Sequence, residues 1–254
     1  MKKKPNPFCY IDTHAGEGLY DLKSEAAVTT GEYLTGVQHF ISSDMVFPEY
    51  LQSYLQVLQY YQVDGKQRFY PGSPFLASHL LRLQDKMIIN EFHPSVYTKL
   101  KENFRRLPAG NIIPAIHNRD AYEFLPAILP DPIKRGLVLI DPPFEQKDEG
   151  IRIKLVLEKA LKRWPQGIYL VWYPITALRK WDLKEVITYN QISDYLIVQM
   201  TIAKPQVNVA GLIGCQMLLV NPPWKIAEIL NPLMELLWKT FSTNQEGGWE
   251  IYEG

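Results

Sequence analysis

Apolar residues fall into short continuous runs, separated by longer stretches in which they recur every three or four positions. The runs occupy residues 8–11, 87–89, 111–116, 136–140, 168–173, 195–200 and 212–220. Runs of this length bounded by turn residues predict strands. Continuous ones such as LVLI and YLVWY predict strands buried on both faces, as in a parallel sheet covered by helices. The helical period appears over residues 48–61, 73–84, 94–104, 152–164 and 226–241, and Pro232 within the last predicts a kink or break there. Strands alternating with helices predict a doubly wound α/β sheet. The last two runs are joined without a helical pattern, which suits a hairpin. Seven strands are therefore expected, six parallel and the last, ending at Val220, antiparallel.

The chain between Asp12 and Met87 is longer than one crossover helix uses. A single domain over residues 1–254 with an inserted helical segment at about 30–72 follows. The segment is rich in Tyr and Gln (YLQSYLQVLQYYQ). Its tyrosines are expected to face a core, with a base-stacking surface as the alternative.

Composition narrows the classes. The chain has 254 residues, 46% hydrophobic and 21% charged, which excludes a disordered, collagen-like or coiled-coil chain. Lys and Arg number 27 and so do Asp and Glu. A neutral balance does not favour a polyanion partner, though charge segregated onto one face still steers one. Cys9 and Cys215 both sit in apolar stretches and are expected as buried, reduced thiols. No four-ligand metal spacing is present, so no metal is expected. No apolar run approaches the roughly 18 residues that would span a bilayer. The basic start MKKKPNPF is followed by no signal-peptide core, so a cytoplasmic protein, without a membrane partner and monomeric, is expected.

Four motifs carry chemistry. Asp12-Thr13-His14-Ala15-Gly16-Glu17-Gly18 directly follows the first strand, and Gly16 and Gly18 let the backbone pass close to a ligand. Asp21 stands where a dinucleotide fingerprint has its third glycine, so a nucleoside-bearing cofactor without pyrophosphate, such as S-adenosylmethionine, fits better. An ordinary strand-to-helix turn is the alternative. Glu91 closes the next strand, where a carboxylate accepts two ribose hydroxyls. Asp120 follows the third, placed for an adenine amino group. Either acid taken alone is as well read as a cap or a solvated loop residue, but ligands of open α/β sheets bind at these carboxyl ends. Asp141-Pro142-Pro143-Phe144 follows the fourth strand. Its carboxylate and a proline carbonyl accept both N–H bonds of a planar amine while the ring stacks on its face. A rival, Asn221-Pro222-Pro223-Trp224, follows the seventh run and is read as a strand terminator.

In this order the motifs resemble the bacterial 23S ribosomal RNA adenine-N6 methyltransferases of the J type. The resemblance rests on YIDTHAGEGLYDL, TGEYLTGV, RFYPGSPFLASHLLRLQD, NEFHP, RGLVLIDPPFE, YLVWYPI and LLVNPPWK, collinear from about residue 8 to 224. It implies a Rossmann-like fold and methyl transfer from S-adenosylmethionine to N6 of an adenine in 23S ribosomal RNA, leaving S-adenosylhomocysteine. It implies that His14 and Ser73 contact the cofactor, although Ser73 before Pro74 also reads as a helix cap. It further implies that Glu91 holds the ribose, that Asp120 and Ala121 meet the adenine end, and that Asp141 is the catalytic acceptor. The family begins with a His-, Lys- and aromatic-rich segment that has no counterpart ahead of Phe8. Its loss is expected to affect turnover more than stability. Lys2 to Lys4, Arg105-Arg106 and Lys134-Arg135 are the basic candidates for RNA. Adenine in DNA, a protein glutamine amide, and a non-catalytic RNA-binding role stay open as alternatives.

Overall fold

A computed structural model describes residues 4–43, 45–107, 111–176, 180–204 and 211–254; Lys2 and Lys3 lie outside them. The chain opens with β1 (Cys9–Asp12), buried throughout. Then come β2 (Leu19–Asp21), α1 (Glu25–Thr30), α2 (His39–Ser42), α3 (Gln52–Tyr60), β3 (Gln62–Val63), β4 (Lys66–Gln67) and β5 (Phe69–Pro71). They are followed by α4 (Ser73–Leu80), β6 (Lys86–Asn90), α5 (Pro94–Arg105) and β7 (Ala115–His117). The remainder holds α6 (Ala121–Ile128), β8 (Gly136–Ile140), α7 (Glu149–Arg163), β9 (Ile168–Thr176) and α8 (Leu183–Tyr189). It closes with β10 (Tyr195–Thr201), β11 (Leu212–Val220), α9 (Ile226–Phe241) and β12 (Gly248–Glu253). Two compact units result, one of residues 1–14 with 120–254 and one of residues 15–119.

In the first unit the strands run in the order β12-β10-β11-β9-β8-β1. β1 pairs parallel with β8 and β8 parallel with β9. β11 is antiparallel to both β9 and β10, as the hairpin reading requires. The expectation of seven strands falls one short, because β12 adds an antiparallel partner to β10. Its sequence, GWEIYE, alternates along a partly exposed edge and lacks the continuous run that marks the other strands. With it two strands near the C-terminal end, β11 and β12, run against the parallel ones.

Burial of β8 and β9 also departs from expectation. Val138, Ile140, Tyr169, Val171 and Tyr173 are sealed on one face, while Leu137, Leu139, Leu170 and Trp172 on the other are half-buried. The continuous apolar runs thus reflect one closed face and one partly open face. Of the kink or break expected at Pro232, the break is not seen, since α9 runs on through it; it is anchored by the buried Met234 and packs on β10 and β12. α6 was not expected, because Pro126 interrupts its apolar period.

In the second unit β6 pairs parallel with β7, and β2 with β5 and β3 with β4 form small antiparallel pairs. β7 starts only at Ala115 because Pro114 just before it has no N–H to give to a ladder. α4 ends at Leu80, earlier than its period predicts, since Arg82 and Asp85 close a turn through Asp85 N–H to the Arg82 carbonyl (2.8 Å) and Arg82 N–H to the Asp85 carboxylate (2.9 Å). The core reading of the tyrosines holds for Tyr61 but not for Tyr50 and Tyr60, which are 41% and 54% exposed. α3 buries only Val57 and Leu58, so its stripe is too narrow to take them.

Candidate active site

β1 and β8 lie side by side with Asp12 opposite Leu139, two residues before Asp141. Both acids therefore leave the sheet at its carboxyl edge. Asp12 is fully buried. Its carboxylate accepts the Tyr10 hydroxyl (3.0 Å) and the His14 N–H (3.2 Å). The Thr13 hydroxyl donates its one proton to the Leu139 carbonyl (2.9 Å), so at 2.8 Å from His14 Nδ1 it accepts. This network assigns the imidazole proton to Nδ1 and leaves Nε2 as an acceptor. Burial lowers the His14 pKa to about 4, against the pull of Asp120 and with a further push from Arg152. The ring is neutral at pH 7.

Asp141 is exposed at the mouth of β8. Partial loss of hydration, and then the Asp12 carboxylate, raise its pKa to about 6. Pro142 is buried behind it. Phe144 has a φ of 55°, in the left-handed region that bulky residues rarely enter. Its ring packs on Trp181, Tyr173 and Trp172, with centroids 5.2, 5.7 and 5.8 Å away. Trp181 in turn rests on Gly150, where any side chain would meet its ring.

Asp120 is the N-cap of α6, accepting Tyr122 N–H (2.9 Å) and Glu123 N–H (3.3 Å). Its other oxygen is ion-paired with Arg152. The Arg152 guanidinium lies 4.2 Å from the centre of the Tyr122 ring, and the Tyr122 hydroxyl donates to the buried Glu149. The cap reading of Asp120 is therefore realised, and its acceptor capacity is shared with a cation. Ala121, the first residue of α6, is buried.

In the second unit Glu91 directly follows β6 and is half-buried. Its carboxylate accepts Gly16 N–H (2.9 Å) and His93 N–H (2.8 Å), one on each oxygen. Gly16 and Gly18 both have positive φ, 60° and 74°. Their bare faces are taken by neighbours: the Tyr20 hydroxyl covers Gly16, and Phe75 and Leu100 cover Gly18. A side chain at either position would collide, so the turn requires glycine at both. Ser73 is the first residue of α4, one past its N-cap Gly72, so it is not itself the cap. Asp21 is paired with Arg68 (2.6 Å).

The rival motif lies at the opposite edge of the first unit's sheet. Val220, before Asn221, is in register with Tyr169 and Tyr195, at the amino ends of β9 and β10. The Asn221 amide donates to the carbonyls of Pro165 (2.8 Å) and Gly167 (2.7 Å). Asn221-Pro-Pro-Trp thus ends a strand far from Asp141. Of the basic candidates, Lys4, Arg105, Arg106 and Lys134 are exposed, and Arg135 donates to the Asn6 carbonyl (2.9 Å). Sequence reasoning missed Tyr122, Glu149, Arg152, Tyr173 and Trp181. No spacing rule links them; only Asp120 with Glu123 three residues later, a helix-start signal, pointed to this corner.

Among the described residues no group of three or more His, Cys, Asp or Glu is placed to hold a metal ion, and no helix is long and apolar enough to cross a membrane. A family model described as "Ribosomal RNA large subunit methyltransferase D, RlmJ" matches residues 5–252. The chain is 36% identical over 238 residues to ribosomal RNA large subunit methyltransferase J of Escherichia coli, covering 93% of this chain and 83% of that protein. It is 32% identical over 253 residues to the Haemophilus influenzae protein of the same name, covering 99% and 88%. Protein LPL1258 of Legionella pneumophila has a solved structure that superposes with a TM-score of 0.87 at 29% identity, covering 100% of this chain and 91% of that one. The fold is the α/β Rossmann-like fold of S-adenosylmethionine-dependent methyltransferases, and the chain belongs to the ribosomal RNA large subunit methyltransferase J family.

Proposed function

We propose that this protein transfers the methyl group of S-adenosylmethionine to N6 of an adenine in 23S ribosomal RNA, releasing S-adenosylhomocysteine. The observation that carries this reading is Asp141-Pro-Pro-Phe at the carboxyl end of β8, beside β1, with Asp141 exposed and the Phe144 ring packed against Tyr173 of the neighbouring β9. The residues fit a nucleoside-bearing methyl donor better than a dinucleotide. His14 offers a neutral acceptor nitrogen. Each Glu91 oxygen keeps a lone pair beyond its one backbone bond, enough for two ribose hydroxyls. Asp21 is held by Arg68, in the place where a pyrophosphate loop needs glycine.

Asp12, His14, Gly16, Gly18, Ser73, Glu91, Asp120, Ala121 and Asp141 are the residues proposed for the cofactor. Glu91 takes the ribose, and Asp120 with Ala121 takes the adenine end. Asp120 has then to share its carboxylate with Arg152. Asp141, with Pro142 and Phe144, forms the catalytic corner. Asp141 accepts one N–H of the target amine, a proline carbonyl the other, and the ring stacks on the base. As the amine nitrogen becomes positive, the bond to the carboxylate strengthens, which favours the transition state over the ground state. Direct displacement needs neither a metal nor a covalent intermediate. The protein acts as a cytoplasmic monomer, and both compact units belong to one methyltransferase domain.

Mass-spectrometric nucleoside mapping of ribosomal RNA from cells with and without the gene tests the reading. One N6-methyladenine should vanish from 23S RNA on deletion. Unchanged maps, with transfer instead to DNA or to protein fractions offered a labelled methyl donor, would overturn it.

A further inference from the structure

Two tyrosines on β9 point into the same sealed face and end differently. Tyr169 is fully buried and its hydroxyl donates to backbone, within reach of the Ala160 (3.1 Å) and Trp164 (2.8 Å) carbonyls. Tyr173, two strand repeats further along β9 and beyond Val171, is as fully buried, yet its hydroxyl has no hydrogen-bond partner among the described residues. A buried hydroxyl without a partner is costly and calls for an explanation. The ring that carries it packs against two aromatic neighbours, Phe144 at 5.7 Å and Trp181 at 5.9 Å between ring centroids. Phe144 is the aromatic residue of the Asp-Pro-Pro-Phe motif, and its backbone is in the left-handed region. Residues in such conformations persist where surrounding packing holds them, and they cluster at functional sites. Here the recess that holds Phe144 is walled in part by the ring that carries the unpartnered hydroxyl.

We propose that the Tyr173 hydroxyl is a specificity-determining group that donates to a ring nitrogen of the target adenine, N1 or N7, once the Phe144 ring leaves this recess to stack on the base. The inference rests on the adenine-N6 reading above. Asp141 and a proline carbonyl use both N–H bonds of the amine, so the acceptors left beside it on the base edge are these two nitrogens. A hydroxyl donor supplies the missing complement and gains the partner it lacks in the free protein.

The test compares the native protein with Tyr173→Phe, which removes one oxygen and keeps the ring. Methyl transfer is measured on a 23S RNA fragment carrying adenine, 1-deazaadenine or 7-deazaadenine at the mapped position, with cofactor affinity by calorimetry and melting followed in parallel. Tyr173→Phe should melt no lower and bind cofactor equally well. Its kcat/KM on adenine should fall about tenfold, the worth of one neutral hydrogen bond. The native protein should lose about as much on one of the two deaza substrates, and Tyr173→Phe should lose nothing further on that one. Unchanged kcat/KM in Tyr173→Phe, or losses that multiply on both analogues, would overturn the assignment. So would a lower melting temperature with normal turnover, which would give the hydroxyl to the fold through Gln216, its register partner with a buried unpartnered carbonyl oxygen. Absence of any transfer by the native protein to the unmodified RNA would instead sink the proposed function itself.

Discussion

Asp141 is held between two demands. It must be charged to polarise an amine, yet burial around it and the Asp12 carboxylate raise its pKa to about 6. The carboxylate form accepts best, so turnover should rise as pH passes about 6 and level off above it. In Asp141→Asn that limb should disappear from the pH–rate profile. The folded value lies above the ordinary one of 3.8, so the folded state holds this proton more tightly than the unfolded chain. The resulting penalty is absent in acid and complete above about pH 6. Asp141→Asn should therefore melt no lower than the native protein at pH 8. Asp141→Ala should reduce turnover by at least about 100-fold, with Asp141→Asn milder because its amide oxygen still accepts. Asn221 is the converse case. Its amide satisfies two carbonyls at the far edge of the sheet, so Asn221→Ala should cost about 1–3 kcal/mol in denaturant unfolding and leave single-turnover methylation near normal. A loss of transfer in Asn221→Ala with none in Asp141→Ala would mean that the catalytic motif has been placed on the wrong strand.

Elements place the remaining acids, and each acid also serves its element. Glu91 directly follows β6 and ties the Gly16 turn and the start of α5 through two backbone N–H groups. Glu91→Ala should weaken binding of S-adenosylhomocysteine about 30- to 150-fold and lower the melting temperature as well, because those N–H groups lose their acceptor. Calorimetry decides the ribose role: unchanged affinity in a folded variant would leave Glu91 a loop tie only. Asp120 shows why acids at strand ends are ambiguous in a sequence. The same side chain that suits an adenine amine caps α6 and pairs with Arg152. The cap was legible from Asp120 and the apolar residues after it. The Arg152 pair was not, since 32 positions separate the two in the chain.

Across the whole molecule the two cysteines, both expected buried, differ in exposure. Cys9 is buried and Cys215 half-buried, its thiol pKa raised by burial, and no disulfide joins them. Reductant should therefore leave the melting temperature unchanged, and alkylation should reach Cys215 slowly and Cys9 only on unfolding; a shift with reductant would reveal a disulfide. The α/β alternation, the β10–β11 hairpin and the bounds of β8, β11 and α9 were determined by the sequence itself. Burial imposes a local apolar period, and any such period is written along the chain. The edge strand β12 and the Pro-bearing helix α6 escaped because their periods are half-exposed or interrupted. Which of two acceptor-Pro-Pro-aromatic motifs meets the carboxyl edge was decided by strand direction, a property of pairing and not of the tetrapeptide. The raised pKa of Asp141, the tautomer of His14 and the unpartnered hydroxyl of Tyr173 were decided by tertiary structure alone. Each depends on groups distant in the chain that only folding brings within range, where low hydration lets a single neighbour shift a proton or leave a polar atom bare.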